Sequence, residues 1–591
     1  MKKYEIISDS DFELGSTADK DSISVCAVSD SDKPLSLELY DRKSLKRIHS
    51  VRFPNENHIG AVYSMTLKGL DPSGLLYRLR SGRREYLDPY AKEIAGNRRF
   101  GKRDGFGGFL DPVPAIAHEG GRLEWEDLVI YLLNVRAFTK DPSSKVKHPG
   151  TFDGLKEKIP YLKKLGITSL LLQPCYDFNE VSDKEQTSRI NLWGYVPGNY
   201  FYPKPSYAFG DPVEEFASLL DELHKNKMEL YMQFYFMSGE STCFIQRVLR
   251  YWAEHYRVDG FELMGADLPV KEIALDPYLR DMKLLFTQLD VDMIYGRSEP
   301  KVKNLGFIND PFMYDMRKYL KGDEDMLNTV SKHILANPGR MAMVNHITSY
   351  YGFTLKDLVS YERKHNEKNG EMGADGSDYN YSWNCGDEGT SRKKAVNSLR
   401  LRQMKNALIL LALSQGVPML RFGDEFGNSQ RGNNNAWCQD NKISYLDWND
   451  LEKNKDLFEF TKKVIALRKK HPVFRSRYAK KMYDYISCGA PDASFHGEQA
   501  WNQSFVNYNR HFALMYSGAY EKVSDKSNDD DFYIAYNMHW TGHRFHPPKP
   551  AKGKKWEICL STGSGRETAI YDQAGNELAV SARSIVVLRA V

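Results

Sequence analysis

Disulfide chemistry has little to work with in this sequence. Its 591 residues hold seven cysteines, an odd number, scattered and without a CxxC pair. That excludes a disulfide framework and fits thiols buried as small hydrophobes in a reducing cytoplasm. No run of about 18 apolar residues occurs, so no membrane-spanning helix is expected. The opening MKKYEIISDSDFELG lacks an apolar h-region and a small-residue cleavage site, so it does not read as a secretory signal. Charge of one sign is also lacking. A formal net charge of +4 gives no electrostatic pull towards nucleic acid or a membrane surface. No Gly-rich loop has the form of a phosphate cradle, and no Ser/His/Asp arrangement follows from spacing. What is abundant is aromatic: 36 Tyr, 29 Phe and 9 Trp, rings that serve cores first.

The chain is long enough for two or three domains of roughly 100–200 residues. SISVCAV, LSLELYD and GLLYRLRSG alternate or run apolar between Asp, Ser, Pro and Gly, so the first hundred or so residues predict a small β-sandwich. NRRFGKRDGFGGF then reads as a Gly- and Arg-rich linker. From Leu123 strands alternate with helices. In TFDGLKEKIPYLKKLGITSLLLQP, Leu155, Ile159 and Leu162 recur at helical spacing, Gly166 stands at a C-cap position, and Thr168 opens a strand. PVEEFASLLDELHKNKMELYMQFYF, FIQRVLRYWAEHYRVDGFELM and NSLRLRQMKNALILLALSQGVPMLRFGDE repeat the pattern. Repeated units of this kind predict an α/β fold with a closed (β/α)8 barrel. LFEFTKKVIALRKKHP is a last amphipathic helix, and the strand-like tail predicts a C-terminal antiparallel β domain. The expected domains are residues 1–118, 119–475 and 476–591. The acidic run DKSNDDD reads as a solvated hairpin loop.

NLWGYVPGNYF at Asn191, GFTLKDLVSYERKHNEKNGE at Gly352, NYSWNCGDEG at Asn380 and PMLRFGDEFGNSQRGNNNAWCQDNKISYLDW at Pro418 are specific segments. With them nearly the whole chain resembles the isoamylase and glycogen-debranching branch of glycoside hydrolase family 13. The resemblance implies an N-terminal sandwich of the carbohydrate-binding module 48 type, a (β/α)8 barrel and a C-terminal β domain. It also implies an α-1,6-glucosidase with an Asp nucleophile, a Glu acid/base and a further Asp, at the C-terminal ends of barrel strands.

Carried over position by position, that chemistry is missing. In MQFYFMS, Gln233 stands for an Asp and Ser238 for a His. In GFELM, Glu262 stands for an Arg and Met264 for the nucleophile. VDMIYGRSEP, taken as the fifth strand, puts Gly296 at the acid/base position, with Arg297 beside it. Tyr350 and Tyr351 replace a His-Asp pair, so the third carboxylate is lost. Without two placed carboxyls, neither a nucleophile nor a proton donor serves the oxocarbenium-like transition state. The expectation is a catalytically degenerate member of the family.

Two groups could still act. Glu262 lies two residues before Met264 and shares its face of a strand. It is either a desolvated acid, with Glu299 or Asp267 as a second carboxylate, or, the favoured reading, the partner of a cation such as Arg297. Tyr350 and Tyr351 either stack on glucose or fill the emptied subsite, and the swaps towards bulky residues favour filling. The expected sugar contacts are Tyr195, which matches a family tyrosine that stacks on the sugar, with Trp193 and Phe353, although Trp193 reads first as a core residue. HWTGHRFH carries His539, His543 and His546 at spacing that imitates a metal site, but in a strand and a Pro-rich turn, so no metal or cofactor is expected. The partners implied are α-glucan (glycogen, amylopectin or malto-oligosaccharide) and an active isoamylase-type enzyme, since non-catalytic relatives in plants serve as subunits of hetero-oligomeric isoamylases. The rivals are an active debranching enzyme and a scaffold without glucan binding.

Overall fold

A computed structural model describes residues 4–7, 13–29, 33–111, 114, 116–118, 120–181, 189–563 and 568–591. Its centre is a closed barrel of eight parallel strands: Ile130–Leu133, Ser169–Leu172, Glu229–Tyr235, Gly260–Met264, Lys283–Phe286, Leu305–Asn309, Ala342–Asn345 and Val417–Arg421. The last pairs with the first, Ile130 opposite Met419 and Leu132 opposite Arg421. Strand alternation sorts the side chains. On the third and fourth strands Leu230, Met232, Phe234, Phe261 and Leu263 pack outward in the core shared with the helices. Leu132, Leu171, Tyr231, Leu285, Ile308, Val344 and Met419 fill the interior, with Trp125 beneath them.

The helices form where the sequence signals them. Asp211 accepts hydrogen bonds from the Val213 and Glu214 amides and caps Pro212–Lys225. Ser241 caps Thr242–His255, whose Ile245, Val248, Leu249 and Trp252 are buried, each contributing about 1.5–3 kcal/mol by leaving water. Gly166, at φ 102°, ends Ile159–Leu165 in the left-handed region and turns the chain into the second barrel strand.

Two antiparallel sheets precede the barrel and share one core, with Ile23, Val25, Met65 and Leu67 from one and Leu37, Leu39, Tyr77 and Leu79 from the other. The segment read as a linker is anchored: Arg103 reaches Asp177 at 2.5 Å, and Asn97 donates to Asp177 at 2.9 Å. After the barrel, a five-stranded and a three-stranded antiparallel sheet share a second core of Met515, Tyr533, Phe545, Leu578 and Val586. The acidic run is only partly a solvated hairpin. Ser527 and Asn528 are exposed, but Asp529 is buried against His471 Nδ1 at 2.6 Å, and Asp530 pairs with Arg589 and Lys554. Among the described residues no helix is long and apolar enough to cross a membrane.

One barrel strand differs from expectation. VDMIY is a helix, Val291–Tyr295, capped by Asp290. The fifth strand is the earlier Lys283–Phe286.

Candidate functional site

The C-terminal ends of the barrel strands converge on a mouth lined by half-buried rings and by hydrogen bonds. In the parallel register Gln233 stands opposite Glu262, and Tyr235 opposite Met264. Glu262 and Met264 therefore share the inward face, as their two-residue spacing predicts. Glu262 is 3 % exposed. Its Oε2 accepts from Gln233 Nε2 at 2.7 Å; Gln233 Oε1 accepts from the Tyr195 hydroxyl at 2.7 Å; that hydroxyl accepts from Gln173 Nε2 at 3.0 Å. One chain of amides and hydroxyls thus ties together the ends of the second, third and fourth strands.

Burial pushes the Glu262 carboxyl up to about 7, and the charge of Asp310 pushes the same way against the Gln233 hydrogen bond. The Glu262–Arg297 pair is not formed. Arg297 is exposed beyond the helix Val291–Tyr295, and a neutral amide takes its place beside the carboxyl. Gly296 caps that helix at φ 59°, also exposed, and so is no strand-end residue. The register of the true fifth strand sets Phe286 opposite Leu263, which brings Thr287 to the level of Met264. Thr287, just past the strand end, is exposed and carries no carboxyl.

Over Met264 lies Tyr350, its hydroxyl 3.5 Å from the thioether sulfur. The Tyr350 ring sits 4.5 Å from Tyr195, 5.5 Å from Trp193 and 5.0 Å from Tyr351, the last two edge to face. Such contacts add about 0.5–1.5 kcal/mol each beyond area burial. Burial holds the phenols of Tyr195, Tyr350 and Tyr351 well above their usual range, so they act as neutral donors. Tyr351 donates to Asp310 Oδ1 at 2.7 Å, and His346 Nε2 lies 3.1 Å from the same oxygen. Burial pushes Asp310 up, but His346 and the Tyr351 hydroxyl outweigh it and leave the carboxyl below its usual range.

The structure therefore brings together Gln233, Glu262, Met264, Tyr195, Trp193, Tyr350 and Tyr351. Ser238 stays outside, exposed on the rim and donating to Asp267. Glu299 is exposed as well. Phe353 is 0 % exposed in the core and has no face for a sugar. Asp310 and His346 escaped the sequence reading. The signal for Asp310 was the apolar run LGFI followed by Asn-Asp-Pro, a strand end passing into a capped helix, here Asp310–Lys321 with Asn309 as its cap.

The long specific segments frame this mouth. Asp424 accepts from the Leu355 amide at 2.9 Å and from the Thr348 hydroxyl. Asp357 takes the Ser429 hydroxyl and the Gln430 amide. Asn366 and Asn369 bond Asn434 and Asn433 at 2.8 Å. Their polar residues hold one loop to another.

The family described as "Alpha amylase, catalytic domain" matches residues 135–257. The chain is 31% identical to "Isoamylase 3, chloroplastic" of Oryza sativa subsp. japonica, over 88% of this chain and 78% of that protein. It is 28% identical to "Glycogen operon protein GlgX homolog" of Mycobacterium bovis, over 88% and 86%. A group B Streptococcus pullulanase superposes with a TM-score of 0.71 at 17% identity, over 98% of this chain and 88% of that one, which concerns the fold alone. By its barrel, its framing loops and these relatives, the chain belongs to the isoamylase and glycogen-debranching branch of the α-amylase superfamily.

Proposed function

We propose that this chain is a non-hydrolytic isoamylase-family protein that binds α-glucan or acts as the regulatory partner of an active debranching enzyme. The observation that carries the reading is the cluster of rings around Met264, which supports a mouth filled with side chains. Met264 ends the fourth strand beneath Tyr350, and Tyr195, Trp193 and Tyr351 crowd the same ring. A retaining glycosidase needs two carboxyls about 5–5.5 Å apart across the scissile bond. The positions matched to the family's nucleophile and its third carboxylate offer a thioether at Met264 and a phenol at Tyr351. Glucan contact then falls to the N-terminal sandwich, taken as a carbohydrate-binding module 48 within residues 1–118, or to the rim of the barrel, 119–475; residues 476–591 complete the division. The bacterial relative, a glycogen operon protein homolog, supports glycogen as the polymer. A reducing cytoplasm suits seven free thiols.

One observation favours a second reading, an active debranching enzyme with relocated groups. Glu262 is pushed up to about 7 while Asp310 lies below the usual range. Two carboxyls tuned apart at one mouth are what an acid and its anionic counterpart need.

The test is reducing-end release from glycogen, amylopectin and pullulan by concentrated protein, beside Glu262→Gln. No release from either supports the first reading. Release that vanishes in Glu262→Gln overturns it in favour of the second. Migration in a native gel cast with glycogen then decides glucan binding: retardation is expected, and unretarded migration removes the glucan-binding form.

A further inference from the structure

Three histidines in HWTGHRFH suggest a local metal triplet, but the fold keeps only His539 and His543 in ring contact, edge to face at 5.0 Å. His546 lies 3.0 Å from Gln499 Nε2, with Glu577 at 3.7 Å, and His539 lies 2.6 Å from the Thr541 hydroxyl. His543, while packed against His539, also faces a second cluster. It opens the strand His543–Phe545 of the three-stranded sheet, while His511 opens His511–Tyr516 of the five-stranded sheet. Their imidazoles stack at 3.9 Å. Glu498, in the loop after Ala493–His496, completes the group. His543 Nδ1 lies 2.7 Å from Glu498 Oε1, and His511 Nε2 lies 3.9 Å from the same oxygen. The three donor atoms all fall within 4.8 Å of one another.

We propose that Glu498, His511 and His543 form a binding site for a divalent transition-metal ion of the zinc type, pinning the two C-terminal sheets to each other. Two imidazole nitrogens and a carboxylate oxygen are a donor set such ions take, at about 2.0–2.2 Å each. Around a tetrahedral ion that spacing separates donors by about 3.4 Å. The His543–Glu498 distance has to open, the His511–Glu498 distance to close, and the stacked rings to tilt so that their in-plane lone pairs converge on the ion. The fold makes the ligands rigid. His511 is registered against Asn537, and His543 against Val580. The Glu498 carbonyl accepts from the His546 amide at 2.7 Å, which fixes its loop to the strand that carries His543. The other ring nitrogen of His543 lies 3.4 Å from the Thr541 hydroxyl, an outer partner that orients the ring. His511 Nδ1 is buried without a hydrogen-bond partner among the described residues, and its Nε2 stands beyond bonding distance of Glu498. An ion between Glu498 and His511 bonds Nε2, which makes no bond to Glu498 at 3.9 Å. The His511 and His543 side chains are 14% and 17% exposed and that of Glu498 47%, so an ion has a path in and a water completes its shell.

The test is Zn2+ titration of the untagged, chelator-stripped full chain by calorimetry, with thermal melting alongside. Expected are one saturable Zn2+ per chain and a melting rise of about 2 °C or more. His543→Ala and Glu498→Gln should each weaken binding at least tenfold and abolish the melting rise, while His546→Ala leaves both unchanged. Glu498→Gln alters a half-exposed loop side chain, so it keeps the test decisive if His543→Ala fails to fold. No saturable binding, binding unchanged in Glu498→Gln, or an equal loss in His546→Ala would overturn the site.

Discussion

Glu262 and Asp310 stand at one mouth under opposite electrostatic pressures, and the difference is measurable. The Glu262 carboxyl is raised from 4.5 to about 7, first by burial. A raised carboxyl gives the fold most stability below the unfolded value, and that contribution is lost as pH climbs from about 4.5 to about 7. At 1.36 kcal/mol per unit the loss approaches about 3 kcal/mol. Gln in its place keeps the oxygen facing Gln233 and has no proton to lose. The melting temperature of Glu262→Gln relative to the parent should therefore rise between pH 5 and pH 8. A gap that stays level across that range would show that Glu262 is not held neutral by burial. The same residue marks what sequence reasoning reached. Two-residue spacing on one strand placed Glu262 beside Met264, because strand alternation is a local property. Its partner, Gln233, came from register between strands, which spacing along the chain does not carry.

Elements were legible where period and caps agreed. The apolar face of Thr242–His255 and the left-handed Gly166 both stand as the sequence implies. The fifth strand was not legible. Lys283–Phe286 is four residues long, too short to show a period, and the run VDMIY a few residues later has the β-like composition. The deciding signal was Asp290, whose carboxylate caps the Asp292 and Met293 amides and so opens a helix. That slip displaced the acid/base position onto an exposed loop. At the next strand over, Gly265 sets the geometry. The Phe236 amide donates to the Met264 carbonyl at 2.9 Å, and a Cβ on Gly265 would lie 2.5 Å from the Phe236 carbonyl oxygen. Gly265→Ala should push the fourth strand away from the third and cost more than about 1 kcal/mol. Urea denaturation checks this, and an unmoved midpoint would mean that the strand end yields freely.

Across the whole molecule, the framing motifs and the mouth are separable. The loops of Gly352 and Pro418 bond one another through Asp357, Asp424 and the asparagines. They keep the barrel whole whatever stands at Met264. The N-terminal sheets are tied to that barrel by charge as well as by packing. Asp177 and Glu180 are fully buried, Lys204 Nζ lies 2.9 Å from Glu180, and Arg103 reaches Asp177 at 2.5 Å. Arg103 comes from the segment that composition marks as a linker, and its role is invisible to composition because both carboxylates lie more than 70 residues on. Arg103→Met leaves two buried carboxylates to one lysine, an imbalance worth about 3 kcal/mol. The loss should appear first between the N-terminal sheets and the barrel. Limited proteolysis of Arg103→Met should release the N-terminal region at a protease dose that leaves the parent whole, while the barrel stays resistant. Uniform digestion of both regions would place the ion group inside the barrel's own stability instead of at the junction.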